Sequence, residues 1–88
     1  MPAYKLVVRP GVLKDVKSIP KATLLKLRSA MRTLADEPFA RGTSKLQGTE
    51  DTFRIRVGDY RIIFDIDSNE KIVTIIHVAH RRDVYRKY

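Results

Sequence analysis

Residues 53–64, FRIRVGDYRIIF, decide the fold of this 88-residue chain. Gly58-Asp59 suits a two-residue hairpin turn of type II′, because that turn takes glycine at its first central position. Side chains alternate between the two sides of a strand, so residues that pair across such a turn share a side. One side then carries three facing apolar or aromatic pairs: Val57 and Tyr60, Ile55 and Ile62, and Phe53 and Phe64. We predict that this side packs on the core.

The sequence around this hairpin predicts a further strand, two helices and a third hairpin strand. Residues 4–9 are rich in β-forming residues and stop at a Pro-Gly turn signal. Apolar residues at helical spacing predict a short helix ending near Ile19 and a second helix from Pro20 to about residue 37. A loop follows to about Ser44, and after residue 53 strands are expected to end near residues 57, 67 and 78.

Together these elements predict an α+β fold in which residues 1–88 form a single domain. An N-terminal strand and a helical hairpin precede a three-stranded antiparallel sheet, and a short C-terminal arm or helix follows it. The helices cover the apolar side of the sheet. The other side is expected to stay open and to carry the function.

The open side of the hairpin is predicted to carry an arginine cluster. Alternation places Arg56 directly across from Arg61, and Arg54 across from Ile63. Like charges that face one another across strands are destabilising, so a bound anion would relieve their repulsion. Arginine suits phosphate because its planar fork donates hydrogen bonds in pairs. The competing interpretation is a solvated polar surface with no ligand.

The C-terminal tail adds residues that could take part in proton transfer. His80, Arg81 and Tyr85 are candidate catalytic residues, because histidine titrates near neutral pH and tyrosine can stack on a base or exchange a proton. With the arginines, they are the groups needed to cleave RNA through its 2′-hydroxyl without a metal. The remaining basic candidates are expected to bind RNA: Lys45, Arg82 and Arg86. Taken singly, each tail residue is better explained by a structural role, but together with the arginines they favour a catalytic one.

Composition narrows the class of protein. Eighteen lysines and arginines against ten acidic residues give a net charge of +8, which favours a polyanionic partner. The chain has no cysteine and two histidines, so neither a disulfide nor a structural metal site is expected, and no cofactor is predicted. No apolar run is long enough to span a membrane. We therefore expect a cytoplasmic protein.

The pattern KLQG … FRIRVGDYRIIFDID … VTIIHVAHRRDVYR strongly resembles the RelE side of the RelE/ParE toxin superfamily, and the preceding helical hairpin matches as well. The resemblance implies the fold predicted above. It also implies a toxin of a type II toxin–antitoxin system that enters the ribosomal A site and cuts messenger RNA by 2′-hydroxyl attack. The implied partners are the ribosome, messenger RNA and a RelB-like antitoxin that wraps the toxin with an acidic segment.

The resemblance also implies residue roles. Arg54 and Arg56 occupy paired basic positions of the family, Arg61 and Arg81 match further basic positions, and Tyr85 matches a tyrosine that stacks on the nucleotide. The best-studied pattern has lysines at the first two positions. Arginine does not lose its proton in proteins, so neither residue can be a general base. Proton transfer is therefore expected from His80 or Tyr85.

Three alternatives stay open at this point. The first is a ParE-like toxin, which shares the fold but poisons DNA gyrase. The second is an RNA-binding module without catalysis. The third is an inactive relative that still binds its antitoxin.

Overall fold

The computed structural model describes residues 3–39, 42–46 and 48–82. Five strands and two helices follow one another along the chain: β1 (Lys5–Val8), α1 (Pro10–Asp15), α2 (Lys21–Asp36), β2 (Thr43–Lys45), β3 (Thr52–Val57), β4 (Tyr60–Asp67) and β5 (Ile72–His80). Proline stands at the first position of α1, where its missing N–H costs no hydrogen bond. α2 begins directly after Pro20 and ends two residues before Pro38, as the sequence predicts.

The sheet has five strands in the order β1-β5-β4-β3-β2. β3, β4 and β5 are antiparallel neighbours, as predicted, and β1 pairs with β5 in parallel. The predicted three-stranded sheet is therefore wrong in its number of strands. β2 was missed because it has three residues and pairs with β3 only at the edge of the sheet. β1 was predicted as a strand, but its place beside the last strand is a long-range contact that local patterning does not encode.

The predicted hairpin register is confirmed. Val57 pairs with Tyr60 and Arg56 with Arg61, and the ladder continues from there to Thr52 and Asp65. Gly58 has a φ of 60°, and Asp59 is not among the described residues with positive φ, as a type II′ turn requires. The hairpin therefore separates an apolar side from an arginine side.

The core lies between the two helices and the apolar side of the sheet. Leu27 and Leu34 of α2 and Phe64 of β4 have no solvent exposure. Each fully buried side chain of this kind stabilises the fold by roughly 1.5–3 kcal/mol. Among the described residues, no helix is long and apolar enough to cross a membrane.

A β-bulge in β5 changes which residues face the helices. Ile63 pairs with His77 while Phe64 pairs with Ile75, so Ile76 is an extra residue on β5. Before the bulge Ile75 lies in the core, and after it Val78 does. Ile76 and His77 therefore both lie on the arginine side, and every residue after them is on the side opposite to the one that simple alternation predicts.

Asp15 at the end of α1 anchors this bulge. β1 ends at Val8, opposite Ile75, so it does not reach the part of β5 that follows. There Asp15 Oδ2 accepts a hydrogen bond from the Val78 N–H at 3.1 Å and lies 2.7 Å from His77 Nδ1. One carboxylate thus joins α1 to the edge of the sheet.

Asp15→Ala is expected to lower the free energy of unfolding by about 1–3 kcal/mol, because the half-buried Val78 N–H loses its acceptor. Urea unfolding followed by circular dichroism measures this change. Asp15→Asn keeps an acceptor oxygen and should lose less. An alanine variant as stable as the original protein would show that the carboxylate does not hold the bulge.

Candidate nucleic-acid interface

The arginine side of the sheet brings Arg54, Arg56 and Arg61 together, as predicted. Arg56 and Arg61 are directly opposite one another, and Arg54 lies between Ile63 of β4 and Ser44 of β2. Arg56 is exposed, whereas Arg54 and Arg61 are half-buried. Arg54 and Arg61 have ladder partners on both sides, and Arg56 has Arg61 as its partner, so all three stand on paired strands. We call these three residues the arginine face.

Backbone carbonyls near the hairpin turn orient two of the guanidinium groups. Arg56 Nε donates to the Gly58 carbonyl at 3.1 Å, and Arg61 Nη1 donates to the Tyr60 carbonyl at 3.4 Å. A guanidinium has five N–H donors, so each of these contacts uses only part of that capacity. Within the described part of the chain, Asp15 pairs with His77, and no carboxylate is paired with the arginine face.

On the same side of the sheet, the charge of the side chains changes sign from one end of the strands to the other. A small buried cluster of Leu46, Ile63 and Ala79 lies next to the arginine face, so this side is less open than predicted. Beyond it, Thr52 donates to Asp65 Oδ1 at 2.7 Å, and Asp51 and Asp67 line a groove at the far end. An anion is therefore attracted to the arginine end of this side and repelled by the other end.

His80 does not lie on the arginine face. The sequence predicts His80 in the C-terminal tail, but it is the last residue of β5. It pairs with Tyr60, so it lies on the helix side of the sheet. Its ring packs edge-on against Tyr60 at 5.5 Å between centroids, and its Nδ1 accepts from the Arg82 N–H at 3.3 Å. The bulge produces this placement, because unbroken alternation would place His80 on the same side as Arg61.

The other basic candidates are distributed around the turn. The Arg81 N–H donates to the Asp59 carbonyl at 2.7 Å, which holds the exposed Arg81 at the Gly58-Asp59 end of the hairpin. Arg82 has a helical backbone, and its side chain is exposed. Lys45 pairs with Phe53 and so lies on the helix side, away from the arginine face. The predicted Tyr85 and Arg86 lie outside the described residues.

Two further residues matter that sequence reasoning did not single out. Ser44 lies beside Arg54 on the arginine side, where its hydroxyl can add a hydrogen-bond donor. Its strand was too short and too polar to recognise. Asp15 was also missed, because nothing local links it to His77, 62 positions away in the chain.

This arrangement can bind and stabilise a phosphate that gains negative charge. Three guanidinium groups on one rigid surface supply the donors that such a transition state needs. They cannot remove a proton. Within residues 3–39, 42–46 and 48–82, no group of histidine and carboxylate side chains could hold a metal ion.

The chain matches known toxins along most of its length. A family model described as the ParE toxin of the type II toxin–antitoxin system parDE matches residues 6–85. Toxin RelG of Mycobacterium tuberculosis is 32% identical over 75 residues, covering 84% of this chain and 86% of that protein. The putative toxin RelE1 of Methanocaldococcus jannaschii is 24% identical over 94% of this chain and 96% of its own length.

Solved structures agree with these matches. The chain superposes on the archaeal RelE–RelB complex of Pyrococcus horikoshii with a TM-score of 0.80 and 31% identity, over 90% of this chain and 96% of the other. The toxin–antitoxin complex RelBE2 of M. tuberculosis gives a TM-score of 0.80 and 28% identity, over 92% and 100% of the two chains. By its family model, relatives and fold, the chain belongs to the RelE/ParE superfamily of type II toxins.

Proposed function

We propose that this toxin is a ribosome-dependent endoribonuclease that cleaves messenger RNA in the ribosomal A site and so stops translation in the cytoplasm. The cleavage is a metal-independent attack of the 2′-hydroxyl on the adjacent phosphate. The new O–P bond forms a 2′,3′-cyclic phosphate, and the 5′-oxygen leaves with a proton. The enzyme must therefore stabilise the phosphorane, remove one proton and supply another.

The arginine face is the observation that supports this proposal. Arg56 and Arg61 face one another without a carboxylate between them, and Arg54 completes a cationic surface at one end of the sheet. Repulsion between these groups is relieved when a phosphate binds between them. We assign charge stabilisation to the three arginines and a supporting role to Arg81, which the Asp59 carbonyl holds at the same end.

Proton transfer is the part of the mechanism that the arginines cannot perform. His80 and Tyr85 are the two candidates that the sequence predicts. His80 lies on the other side of the sheet, half-buried against Tyr60. We therefore propose that Tyr85, or a group of the ribosome aligned by binding, transfers the proton. Dependence on the ribosome follows, because the toxin supplies few acid–base groups of its own.

His80→Ala is expected to leave the cleavage rate within about fivefold of the original value and its pH profile unchanged, because loss of a true general base costs about 100- to 10,000-fold. Single-turnover cleavage on programmed ribosomes at several pH values measures this. A loss in the range of a general base would return His80 to the catalytic group. It would also require β5 to rearrange on the ribosome.

The similar structures also suggest a protein partner. The proteins from P. horikoshii and M. tuberculosis were each solved as toxin–antitoxin complexes. We propose that this chain likewise forms a hetero-oligomer with a RelB-like antitoxin. The net charge of +8 favours an acidic toxin-binding segment in that partner.

Primer extension on a defined messenger RNA, with and without programmed 70S ribosomes, tests the proposed function. Cuts inside the A-site codon that require ribosomes would support it. The ParE family match favours gyrase poisoning as the second candidate. Absence of cuts with folded protein, together with inhibition of gyrase supercoiling, would replace the first function by the second.

A further inference from the structure

Almost all of the net charge lies away from the arginine face. Residues 5–32 contain eight lysines and arginines against one aspartate, a net charge of +7, while the remaining residues carry ten basic against nine acidic side chains. The sheet hairpins and the tail are therefore nearly neutral as a whole. β1, α1 and most of α2 form a strongly basic segment, which we call the basic layer.

The charges of the basic layer are available to solvent. All eight of its cationic residues are exposed: Lys5, Arg9, Lys14, Lys17, Lys21, Lys26, Arg28 and Arg32. Its one acid, Asp15, is half-buried and bound to His77 and the Val78 N–H, so it does not alternate with the cations at the surface.

Three of these cations form a row along α2. At about 100° per residue, Lys21, Arg28 and Arg32 lie on one side of the helix, next to its buried stripe. Arg28 and Arg32 are four residues apart, a spacing at which like charges repel. A helix that only needed to be soluble would gain from glutamates among these positions. The row is therefore better explained by an anionic partner.

The row on α2 and the arginine face are on opposite sides of the sheet. α1 and α2 pack on the side of the sheet that carries Ile62 and Phe64, whereas Arg61 alternates to the other side. A single phosphate cannot contact both. A polyanion that fills the arginine face thus leaves the row on α2 available for a second contact.

We propose that the basic layer is a second RNA-binding surface, which docks the toxin on the phosphate backbone of structured RNA while the arginine face holds the strand to be cut. This inference rests on the proposed function, because it identifies the ribosome's own RNA as the ligand. Contacts of this kind are independent of base sequence and depend steeply on salt.

RNA fits these observations better than an acidic peptide does. An apolar groove between β1, α1 and α2 could hold a peptide, but Arg28 and Arg32 are the two cations of the basic layer that line it. The other six lie outside the groove and would be left without a partner. RNA presents phosphates over a wider surface than a peptide seated in this groove does.

Equilibrium binding to purified 70S ribosomes without messenger RNA, over a series of salt concentrations, tests the proposal. The helix variant carries Lys21→Gln, Arg28→Gln and Arg32→Gln. It should bind about tenfold or more weakly near 0.1 M salt, with the slope of log K against log salt reduced by about 2, because each phosphate contact contributes about 0.7–0.9. Lys71→Gln removes an exposed charge outside both the basic layer and the arginine face, and it should bind these ribosomes within about threefold of the original protein.

Matched variants separate charge from structure. Lys21→Arg with Arg28→Lys and Arg32→Lys keeps the charge and should keep the affinity, and thermal melts check that each variant is folded. The proposal would be overturned if the helix variant bound ribosomes with the affinity and the salt dependence of the original protein. Unchanged ribosome binding with lost binding of an acidic antitoxin peptide would overturn it as well. An original protein that binds ribosomes through this row but cuts no RNA would overturn the proposed function and leave this inference intact.

Discussion

Replacing Arg61 by alanine is expected to lower kcat for A-site cleavage by about 100- to 1000-fold, which is the usual cost of removing one preorganised donor to a developing oxyanion. Arg61 lies directly across from Arg56, and the Tyr60 carbonyl holds one of its N–H groups, so its guanidinium needs little reorganisation to meet a phosphate. Single-turnover primer extension at saturating ribosomes measures the rate constant without the contribution of binding.

Arg61→Lys is the control for charge alone. Lysine keeps the positive charge but lacks the fork that donates to two phosphate oxygens, so an intermediate loss is expected. Thermal melting should show that both variants are folded, because the Arg61 side chain is half-buried and lies outside the core. Cleavage by Arg61→Ala at the original rate would remove the arginine face from the chemistry.

Phe64→Ala should lower the free energy of unfolding by about 3–5 kcal/mol, more than the other substitutions proposed here. The Phe64 ring is fully buried and stacks on Phe53 at 6.1 Å between centroids, so its removal leaves a cavity. In a domain of this size such a loss lowers the melting temperature by more than about 12 °C. Urea unfolding of the purified variant gives the free energy, and calorimetry gives the melting temperature.

Leu25→Ala is the matched control for this substitution. Leu25 is 57% exposed on α2, so its truncation should change the stability by less than about 0.5 kcal/mol. Equal losses in the two variants would contradict the core described above. A Phe64→Ala protein with the melting temperature of the original protein would show that β4 is not at the centre of the core.

The central hairpin could be predicted because its information is local. The Gly58-Asp59 turn determines the register, and the apolar residues on one side determine which side is buried. The same reasoning found both helices, since Leu27, Met31 and Leu34 lie at helical spacing. β2 and the parallel contact of β1 with β5 could not be found in this way. The first is too short to show a pattern, and the second joins residues far apart in the chain.

The candidate site was predictable to the same extent. Arg54, Arg56 and Arg61 come from the hairpin register and were found with it. The position of His80 depends on one extra residue, Ile76. It also depends on the Asp15 carboxylate, which accepts a hydrogen bond from the Val78 N–H beyond the end of β1. No local pattern marks a bulge among consecutive apolar residues. A shift of one position was enough to move the histidine to the other side of the sheet.

The place of β5 between β1 and β4 has a consequence for how the toxin is made. β5 is the last of the described strands along the chain, and it pairs with both β1 and β4. Contacts between distant parts of a chain form late, after the intervening loop has closed. While the protein is being synthesised, β1 has no neighbour to pair with, and Arg61 stands on an edge that lacks its outer strand. The sheet can therefore close only after β5 has been made, however early the other strands form.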